Sequence, residues 1–383
     1  MIRLVIASSF LILAALCQVS CSTSDAHQAE RTWNDRAPAA PDQSLRVESL
    51  NGPITVVADS SVGEARIEAV FRCSGMTLED AERRVNAAYI EVSRGVDRGL
   101  TIRPVFPEPR RSGDFAALTV TVAGARGVEL VSDNGAVEAR GLSGLLRVET
   151  GNGTVRLIDH DGSAELNSGN GSMRVQRLDG GLKVRTGNGS VNLVDIDGPV
   201  TAATGNGSIR LDGAAGPVDL VSGNGEIDLA LRAGQQGPLA VRSGNGRITA
   251  TLGHGFDGVI TLQGHSRDVE MDESDRARVL KQDQHTTVVE IGDGGPSSRL
   301  ESSQGRVTLR LVELQVSLVI TTDFAFQLVG EGSMKLGTIK EMLDRLHSKL
   351  PFVSQHLLRF RETVTQTQRL LIIAKVIHMN INQ

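Results

Sequence analysis

Apolar and polar residues alternate along much of the chain with a period of two, and the pattern itself returns every 18 residues. Within one repeat, an apolar pair such as Val155/Leu157 is followed by a second pair such as Ala164/Leu166, each with a polar residue between its members. Alternation of this kind is typical of a β-strand with one buried face. Each repeat is therefore predicted to hold two short strands and two turns.

Asn-Gly pairs mark the repeats. Their asparagines are Asn134, Asn152, Asn170, Asn188, Asn206, Asn224 and Asn245, of which the first six are spaced by 18 residues. Two short strands cannot bury their inward side chains alone, whereas identical units stacked on one another share a continuous core. The sequence therefore predicts an all-β fold, a parallel β-solenoid of 18-residue coils with two sheets back to back.

A left-handed helix of hexapeptide repeats is the main alternative, because its three-sided coil is also about 18 residues long. That fold requires an apolar residue at every sixth position. Here the corresponding place holds Glu149, Asn167, Arg185 and Ala203 in successive repeats. The pattern therefore favours two sheets over three.

The turn residues have structural explanations. Glycine flanks the asparagines on both sides, except that Asp133 precedes Asn134. Glycine suits a corner with positive φ, which asparagine also tolerates. The seven asparagines are predicted to form a structural ladder by hydrogen-bonding one amide to the next along the axis. Ser or Thr precedes each Gly-Asn-Gly, as in Thr150 and Thr186, and is expected to form a parallel hydroxyl ladder.

Helices are predicted at the two ends. Thr77 to Asp80 resembles a capping box that begins a helix running to about Ala88, and this helix is expected to close one end of the solenoid. The glycine-poor segment 313–383 shows helical spacing over Leu336–Leu350 and Val353–Ile377. This tail is predicted to be a helical cap or partner-binding hairpin, or an accidental extension of the reading frame.

The Gly-Asn-Gly-x-Val/Ile-x-Leu rows resemble the putative adhesin domain of bacterial exported proteins, a family of unknown function. An opening coil at Leu45–Val56 and a closing coil at Leu300–Leu309 also match, so that the resemblance covers about residues 45–311. It implies a fold of β-strand repeats and supplies no catalytic residues.

The N-terminus has the pattern of an export signal. Arg3 precedes an apolar run from Leu4 to Leu16, which is too short to span a membrane. Val19-Ser20-Cys21 then resembles a lipobox, so we expect Cys21 to be lipidated. Ser22 stands where inner-membrane lipoproteins carry Asp, which favours the outer membrane.

The expected segments are a signal at 1–21, a flexible tether at 22–44, an N-terminal β cap with its helix at 45–126, the repeat solenoid at 127–262, closing β coils at 263–312 and the helical tail at 313–383. Cys73 is the one cysteine outside the signal, so no disulfide can form within the mature domain. It is expected to be a buried strand residue.

Signals for catalysis or metal binding are weak. Residues 127–255 contain no Phe, Tyr or Trp on which a sugar ring could stack. The acids of Asp159-x-Asp161 and Asp195-x-Asp197 are expected to lie in a variable turn without sharing a row, and the calcium-loop ligands that should follow are missing. The scattered histidines, such as His160, are expected to be solvated. No catalytic, cofactor or metal site is predicted.

The net charge of −5 is not the basic charge that is typical of nucleic-acid-binding proteins. The sequence therefore predicts an exported, lipid-anchored, non-enzymatic module of the cell envelope, adhesin-like, whose partner is an unidentified envelope protein or surface ligand. A carbohydrate-active β-helix enzyme is one alternative. A self-assembling envelope scaffold is the other, and it would require uncapped ends.

Overall fold

The computed structural model describes residues 27–40, 43–95, 99–235, 237–265, 269–272 and 274–312, together with strands at 317–320, 326–329 and 373–374. The expected signal, including Cys21, lies outside the described residues. Within these residues there is one helix, α1, which spans Leu78–Ala87.

The strands up to the middle of the stack are β1 His27–Ala37, β2 Ser44–Ser49, β3 Ile54–Ala58, β4 Ala65–Gly75, β5 Tyr89–Arg94, β6 Leu100–Val105, β7 Phe115–Val122, β8 Gly127–Ser132, β9 Val137–Arg140, β10 Leu145–Thr150, β11 Val155–Asp161, β12 Ala164–Ser168, β13 Met173–Asp179, β14 Leu182–Thr186 and β15 Val191–Ile196.

The remaining strands are β16 Val200–Thr204, β17 Ile209–Ala214, β18 Val218–Ser222, β19 Ile227–Leu231, β20 Leu239–Ser243, β21 Ile248–Leu252, β22 Gly258–Gln263, β23 Val269–Met271, β24 Ala277–Gln282, β25 Thr286–Ile291, β26 Ser297–Ser302, β27 Val307–Leu311, β28 Ser317–Ile320, β29 Phe326–Val329 and β30 Ile373–Ala374.

Two large sheets dominate the described chain. The first sheet has 13 strands in the order β1-β4-β7-β3-β9-β11-β13-β15-β17-β19-β21-β27-β23, and the second has 14 in the order β24-β25-β22-β26-β20-β18-β16-β14-β12-β10-β8-β2-β6-β5. Each coil gives one strand to each sheet. From β2/β3 to β26/β27, nine coils are stacked in parallel.

The register of the stack follows the 18-residue repeat. Val155 lies opposite Met173, and Met173 lies opposite Val191, so equivalent residues form straight rows along the axis. The inward rows of the two sheets fill the space between them; Val191, Leu193 and Val200 are 1%, 0% and 1% exposed. Burial of these rows explains the alternation in the sequence, and the predicted two-sheet β-solenoid is confirmed.

Two insertions separate the terminal coils from their neighbours in the sequence. Coil one, β2/β3, lies against β8/β9, and β4, α1 and β5–β7 fill the chain between them. Coil nine, β26/β27, lies against β20/β21, after the insertion that carries β22–β25. The opening and closing coils anticipated from the sequence therefore belong to one continuous stack. Each insertion adds a further parallel layer outside them, β6/β7 against coil one and β22/β23 against coil nine.

Beyond β6 and β7, the N-terminal end is covered by the antiparallel strands β1, β4 and β5 and by α1. Thr77 Oγ1 accepts a hydrogen bond from the Asp80 amide at 3.1 Å, as the predicted cap requires, while Asp80 accepts from the Met76 amide. The expected flexible tether at 22–44 is wrong over β1, which pairs with β4 along its whole length. Arg31 of β1 also donates to the Asn86 carbonyl at the end of α1 at 2.6 Å.

At the C-terminal end, β22 and β24 both pair antiparallel with β25. Of the predicted tail helices, Leu336–Leu350 lies outside the described residues. Within Val353–Ile377 only Ile373–Ala374 is described, and it is a strand that pairs with β29. The helical prediction is therefore wrong at these two residues, whose β-branched and apolar character also suits a strand.

Candidate functional site

Each coil turns twice, and both turns carry rows of polar residues. The asparagine turn leads from the second sheet to the first through Gly-Asn-Gly, and the acidic turn leads back from the first sheet to the second. In the asparagine turn, each Asn donates from Nδ2 to Oδ1 of the Asn one coil earlier, at 2.5 to 3.0 Å from Asn134 to Asn224, and Asn245 continues the series. The ladder begins at Asn51 and is exposed to solvent.

The glycines beside these asparagines serve close packing of the backbone. A Cβ at Gly153 would lie 1.7 Å from the carbonyl oxygen of Gly135, and one at Gly171 would lie 1.6 Å from that of Gly153. The expected positive φ is wrong for these glycines, since none of the described Gly-Asn-Gly glycines has it; Gly52, in the Leu50-Asn51-Gly52 turn of coil one, does. Positive φ instead recurs in and beside the acidic turn, as at Gly162.

The Ser/Thr row before each Gly-Asn-Gly is buried. Thr186 Oγ1 accepts from the Gly189 amide at 3.2 Å and donates to the Gly171 carbonyl of the previous coil at 2.9 Å. The hydroxyls therefore form hydrogen bonds with the backbone of the turns. In the described chain they do not bond to one another, as a hydroxyl ladder would require. This arrangement satisfies backbone groups that the close glycine approach removes from water.

An open groove runs parallel to the axis beside the asparagine turn. Its floor is the exposed glycine row of Gly151, Gly169, Gly187 and Gly205, and its volume is about 720 Å³. Glu149, Asn167 and Arg185 stand along one wall. The groove has no enclosed end and places these side chains one coil apart.

The acidic turn contains a row that sequence reasoning missed. Asp161 lies opposite Asp179 in the register, and Asp197 follows at the same place in the next coil. The expectation that the acids share no row is therefore wrong. Arg232 pairs with Asp197 at 2.7 Å, and Arg177 with Asp159 at 3.0 Å. The 18-residue alignment would have revealed this row.

His160 is buried, and the expectation that it is solvated is wrong. Its side chain is 2% exposed and occupies the place taken by Leu142 and Leu178 in the adjacent coils. Neither ring nitrogen has a partner with hydrogen-bond geometry among the described residues. Burial lowers the pKa of His160, although nearby backbone groups at Ser163, Leu142 and Gly144 oppose that shift.

No three His, Cys, Asp or Glu side chains of the described residues are placed to hold one metal ion. In the Asp-x-Asp-Gly sequence of the acidic turn, Asp159 accepts a hydrogen bond from the guanidinium of Arg177. This hydrogen bond lowers the pKa of the Asp159 carboxyl group. The Asp159 carboxylate is therefore engaged in an ion pair with a side chain of the protein itself.

The capping region contains a buried ion pair. Arg84 of α1 donates to Asp114 at 2.8 Å, with side chains 7% and 0% exposed. Cys73 lies in the same interior as predicted, free and buried. Burial, assisted by the Asp114 carboxylate, raises the pKa of the Cys73 thiol to about 11. The thiol is therefore protonated at neutral pH and a poor nucleophile.

The outward faces of the two sheets differ in how their charges are arranged. On the second sheet most charged residues pair across or along strands, as in Lys183–Glu165 at 3.0 Å and Arg147–Glu149 at 3.1 Å. On the first sheet Arg156, Arg174 and Arg210 form no ion pair among the described residues. Only the positions of the side chains in the structure distinguish these unpaired charges from the paired ones.

No family model matches the chain, and no curated protein matches it. Solved structures similar to it include a putative lipid binding protein from Parabacteroides distasonis (11% identity, TM-score 0.37, covering 75% of this chain and 98% of that one). They also include putative adhesins from Bacteroides fragilis (11%, 0.35, 74% and 97%) and P. distasonis (14%, 0.34, 74% and 97%). Two of these structures carry the same description, putative adhesin, as the family that the repeat rows resemble. At these identities and TM-scores the similarity carries no argument about function.

None of the helices in the described part of the chain has the length and apolar character needed to cross a membrane.

Proposed function

We propose that this protein is an exported, non-enzymatic interaction module of the cell envelope. Its solenoid binds a surface ligand or an envelope protein, and a lipid on Cys21 holds it at the outer membrane. The anchoring part of the proposal rests on the sequence of residues 1–21 alone.

The observation that carries the interaction role is the straightness of the side-chain rows. Nine parallel coils repeat equivalent positions along one axis, at roughly 4.8 Å per coil. Several identical groups held at fixed spacing can engage a repetitive ligand together, and joint engagement raises affinity without any single strong contact. The stacked backbone makes the array rigid before binding, which reduces the entropy lost on association.

A carbohydrate-active enzyme is the second candidate, because the acidic turn brings carboxylates together. Asp161 and Asp179 occupy adjacent coils and line one open groove with Asp197. Glycoside hydrolysis needs two carboxyl groups flanking the substrate, one of them in a desolvated pocket. Both Asp161 and Asp179 are exposed, so the arrangement favours the binding role.

Self-assembly through open sheet edges is disfavoured at two of the four terminal strands of the large sheets, β1 and β24. β1 carries charged residues along its length, including Glu30 and Arg31, and its Arg31 side chain is occupied by α1. β24 is interrupted by a β-bulge between Val279 and Lys281. Charges and bulges are the features by which edge strands avoid pairing with other chains.

The test is retention of the purified full chain on isolated envelope fractions, with release of reducing sugar measured in the same samples. We expect saturable retention and no sugar release, both unchanged in Asp161→Asn/Asp179→Asn. Sugar release that this double variant abolishes would establish the enzyme instead, and absence of retention would refute the interaction role. Labelling with a fatty-acid analogue, compared between the wild type and Cys21→Ser, tests the anchor separately.

A further inference from the structure

An arginine row runs along the outward face of the first sheet. Equivalent places in successive coils hold Arg156, Arg174, Asn192 and Arg210, and the register sets each directly beside the next. All three arginines are exposed. No carboxylate of the described residues lies within ion-pairing distance of any of them.

The arginine row lowers the stability of the fold, and no structural contact within the described residues accounts for its presence. Like charges directly opposite one another on neighbouring strands are destabilising, and Arg156 and Arg174 are such a pair. Elsewhere on the solenoid, arginines are used for internal contacts: Arg232 bridges two aspartates and Arg299 pairs with Glu301. The guanidiniums of the arginine row keep their donors free, and five N–H donors in a planar fork suit carboxylate or sulfate.

A hydroxyl row runs parallel to the arginine row on the same face. Its members are Thr154, Ser172, Ser190 and Ser208, which lie directly before their strands and two residues before the places of the arginine row. The parallel hydrogen bonding reaches them, since the Val155 amide donates to the Ser172 carbonyl, so the alternation of an extended chain places them on the same side as the arginine row. All four are exposed, and the Ser190 and Ser208 hydroxyls lie 3.4 Å apart. The face therefore offers a line of cationic donors beside a line of neutral hydroxyls.

We propose that a linear acidic polysaccharide binds along this face, parallel to the solenoid axis. Its carboxylate or sulfate groups accept hydrogen bonds from Arg156, Arg174 and Arg210, and its sugar hydroxyls bond to the hydroxyl row. The contact spans three coil spacings, roughly 14 Å. This assignment rests on the proposed interaction function and names the ligand class of that module.

The shape of the charged surface favours a single chain over a membrane. The next outward row holds Ile158, Gln176, Val194 and Asp212, which adds no positive charge, and Glu138 and Asp228 bound the arginine row at its two ends. Anionic lipids present charge over a plane and attract basic clusters of matching breadth. A strip one residue wide matches a linear polyanion lying along it.

Single-stranded nucleic acid is also linear, but its binding proteins combine basic grooves with aromatic side chains on which bases stack. Residues 127–255 contain no aromatic residue. A polysaccharide with a charge on each repeating unit needs no such platform, because charge-assisted hydrogen bonds provide both attraction and register.

The experiment measures binding of the full chain to immobilised polygalacturonate and chondroitin sulfate, with dextran as the neutral polymer. The test variant is Arg156→Gln/Arg174→Gln/Arg210→Gln. The matched control, Arg147→Gln/Lys183→Gln/Arg185→Gln, removes the same charge from the second sheet; its Arg185 is likewise exposed and without an ion pair in the described chain. Thermal melting verifies that both variants fold.

We expect at least one acidic polymer to bind, dextran not to bind, and the affinity to fall on adding salt. The test variant should lose more than about tenfold in affinity and the control less than about threefold. Equal losses would mean diffuse attraction and would overturn the assignment, as would no binding to either acidic polymer. Arginine-dependent binding to phosphatidylglycerol vesicles or single-stranded DNA alone would also overturn it. Retention on envelope fractions without polymer binding leaves the interaction function standing while this assignment fails.

Discussion

At the scale of single residues, the glycines of successive asparagine turns lie too close together to admit a side chain. A Cβ at Gly189 would lie 1.9 Å from the carbonyl oxygen of Gly171, whereas one at Gly181 in the same coil would have 3.7 Å to its nearest neighbours. Gly189→Ala should therefore lower the free energy of unfolding by about 2 kcal/mol or more. Gly181→Ala should change it by less than about 1 kcal/mol. Urea titration of both variants measures the difference, and equal effects would contradict this account of the turn.

His160 gives a second prediction at this scale. His160→Leu should raise the free energy of unfolding by about 1 kcal/mol or more, because it removes an unpartnered buried polar group from an apolar row. The pKa of His160 is lowered in the folded protein from 6.5. The unfolded chain therefore binds the proton more readily, and the wild type should lose stability as pH falls below about 6.5.

The comparison between pH 7.5 and pH 5.5 isolates this effect, since His160→Leu keeps every other titrating group. Its free energy of unfolding should fall less on acidification than that of the wild type. A parallel fall in both proteins would show that His160 does not contribute to the acid sensitivity.

The sequence predicted which residues form the rows far better than it predicted what each residue does in the structure. The Asn row was evident from spacing, and the structure places it in one hydrogen-bonded ladder. The reason for the adjacent glycines was not, because positive φ and close backbone approach both select glycine and leave the same sequence. The burial of His160 was missed for a similar reason. A histidine near a turn is expected to be exposed unless it is compared with the residues at the same place in the adjacent repeats, Leu142 and Leu178.

At the scale of elements, α1 is tied to the cap through Arg84 and Asp114. Arg84→Met leaves the Asp114 carboxylate buried without its cation and should cost about 3 to 5 kcal/mol. Arg84→Met/Asp114→Leu removes both charges and should recover most of that loss. Thermal or urea unfolding of the single and double variants tests the coupling. A double variant no more stable than the single one would mean that packing, and not charge, sets the cost.

The elements also show where sequence patterns carry information. α1 could be predicted because Thr77 and Asp80 form a local signal at its start. β1 could not, since His27–Ala37 is polar and has no apolar alternation. Its place is determined by pairing with β4 and by Arg31 at the end of α1, and these contacts are distant in sequence.

At the scale of the whole molecule, the coil is the unit in which length can change. Removing residues 170–187 deletes one full repeat, so that Asn188 would stack on Asn152 and every row would stay continuous. We expect this variant to fold and melt cooperatively, because stacked repeats interact mainly with nearest neighbours. Removing residues 170–178 deletes half a coil. Strands that belong to one sheet would then have to pair with strands of the other sheet.

Circular dichroism and small-angle scattering measure the outcome. The full-repeat deletion should keep its β signal and shorten by roughly 4.8 Å, while the half-repeat deletion should lose cooperative unfolding. Tolerance of both deletions would contradict the two-sheet register. The arginine row belongs to this scale as well. Each arginine is an ordinary exposed residue of its own coil, and only stacking aligns Arg156, Arg174 and Arg210 in one row, which Asn192 interrupts. The sequence therefore pointed to the scaffold more clearly than to a ligand.

The two insertions have a consequence for the order in which the molecule forms. In the middle of the stack each strand pairs with one a single repeat away, so short loops suffice to bring partners together. At the ends Ile54 must find Val137, and Ile248 must find Val307, across long intervening segments. Contacts between distant positions form slowly. The central coils should therefore assemble first and offer a template, on which the outer coils and their coverings close last.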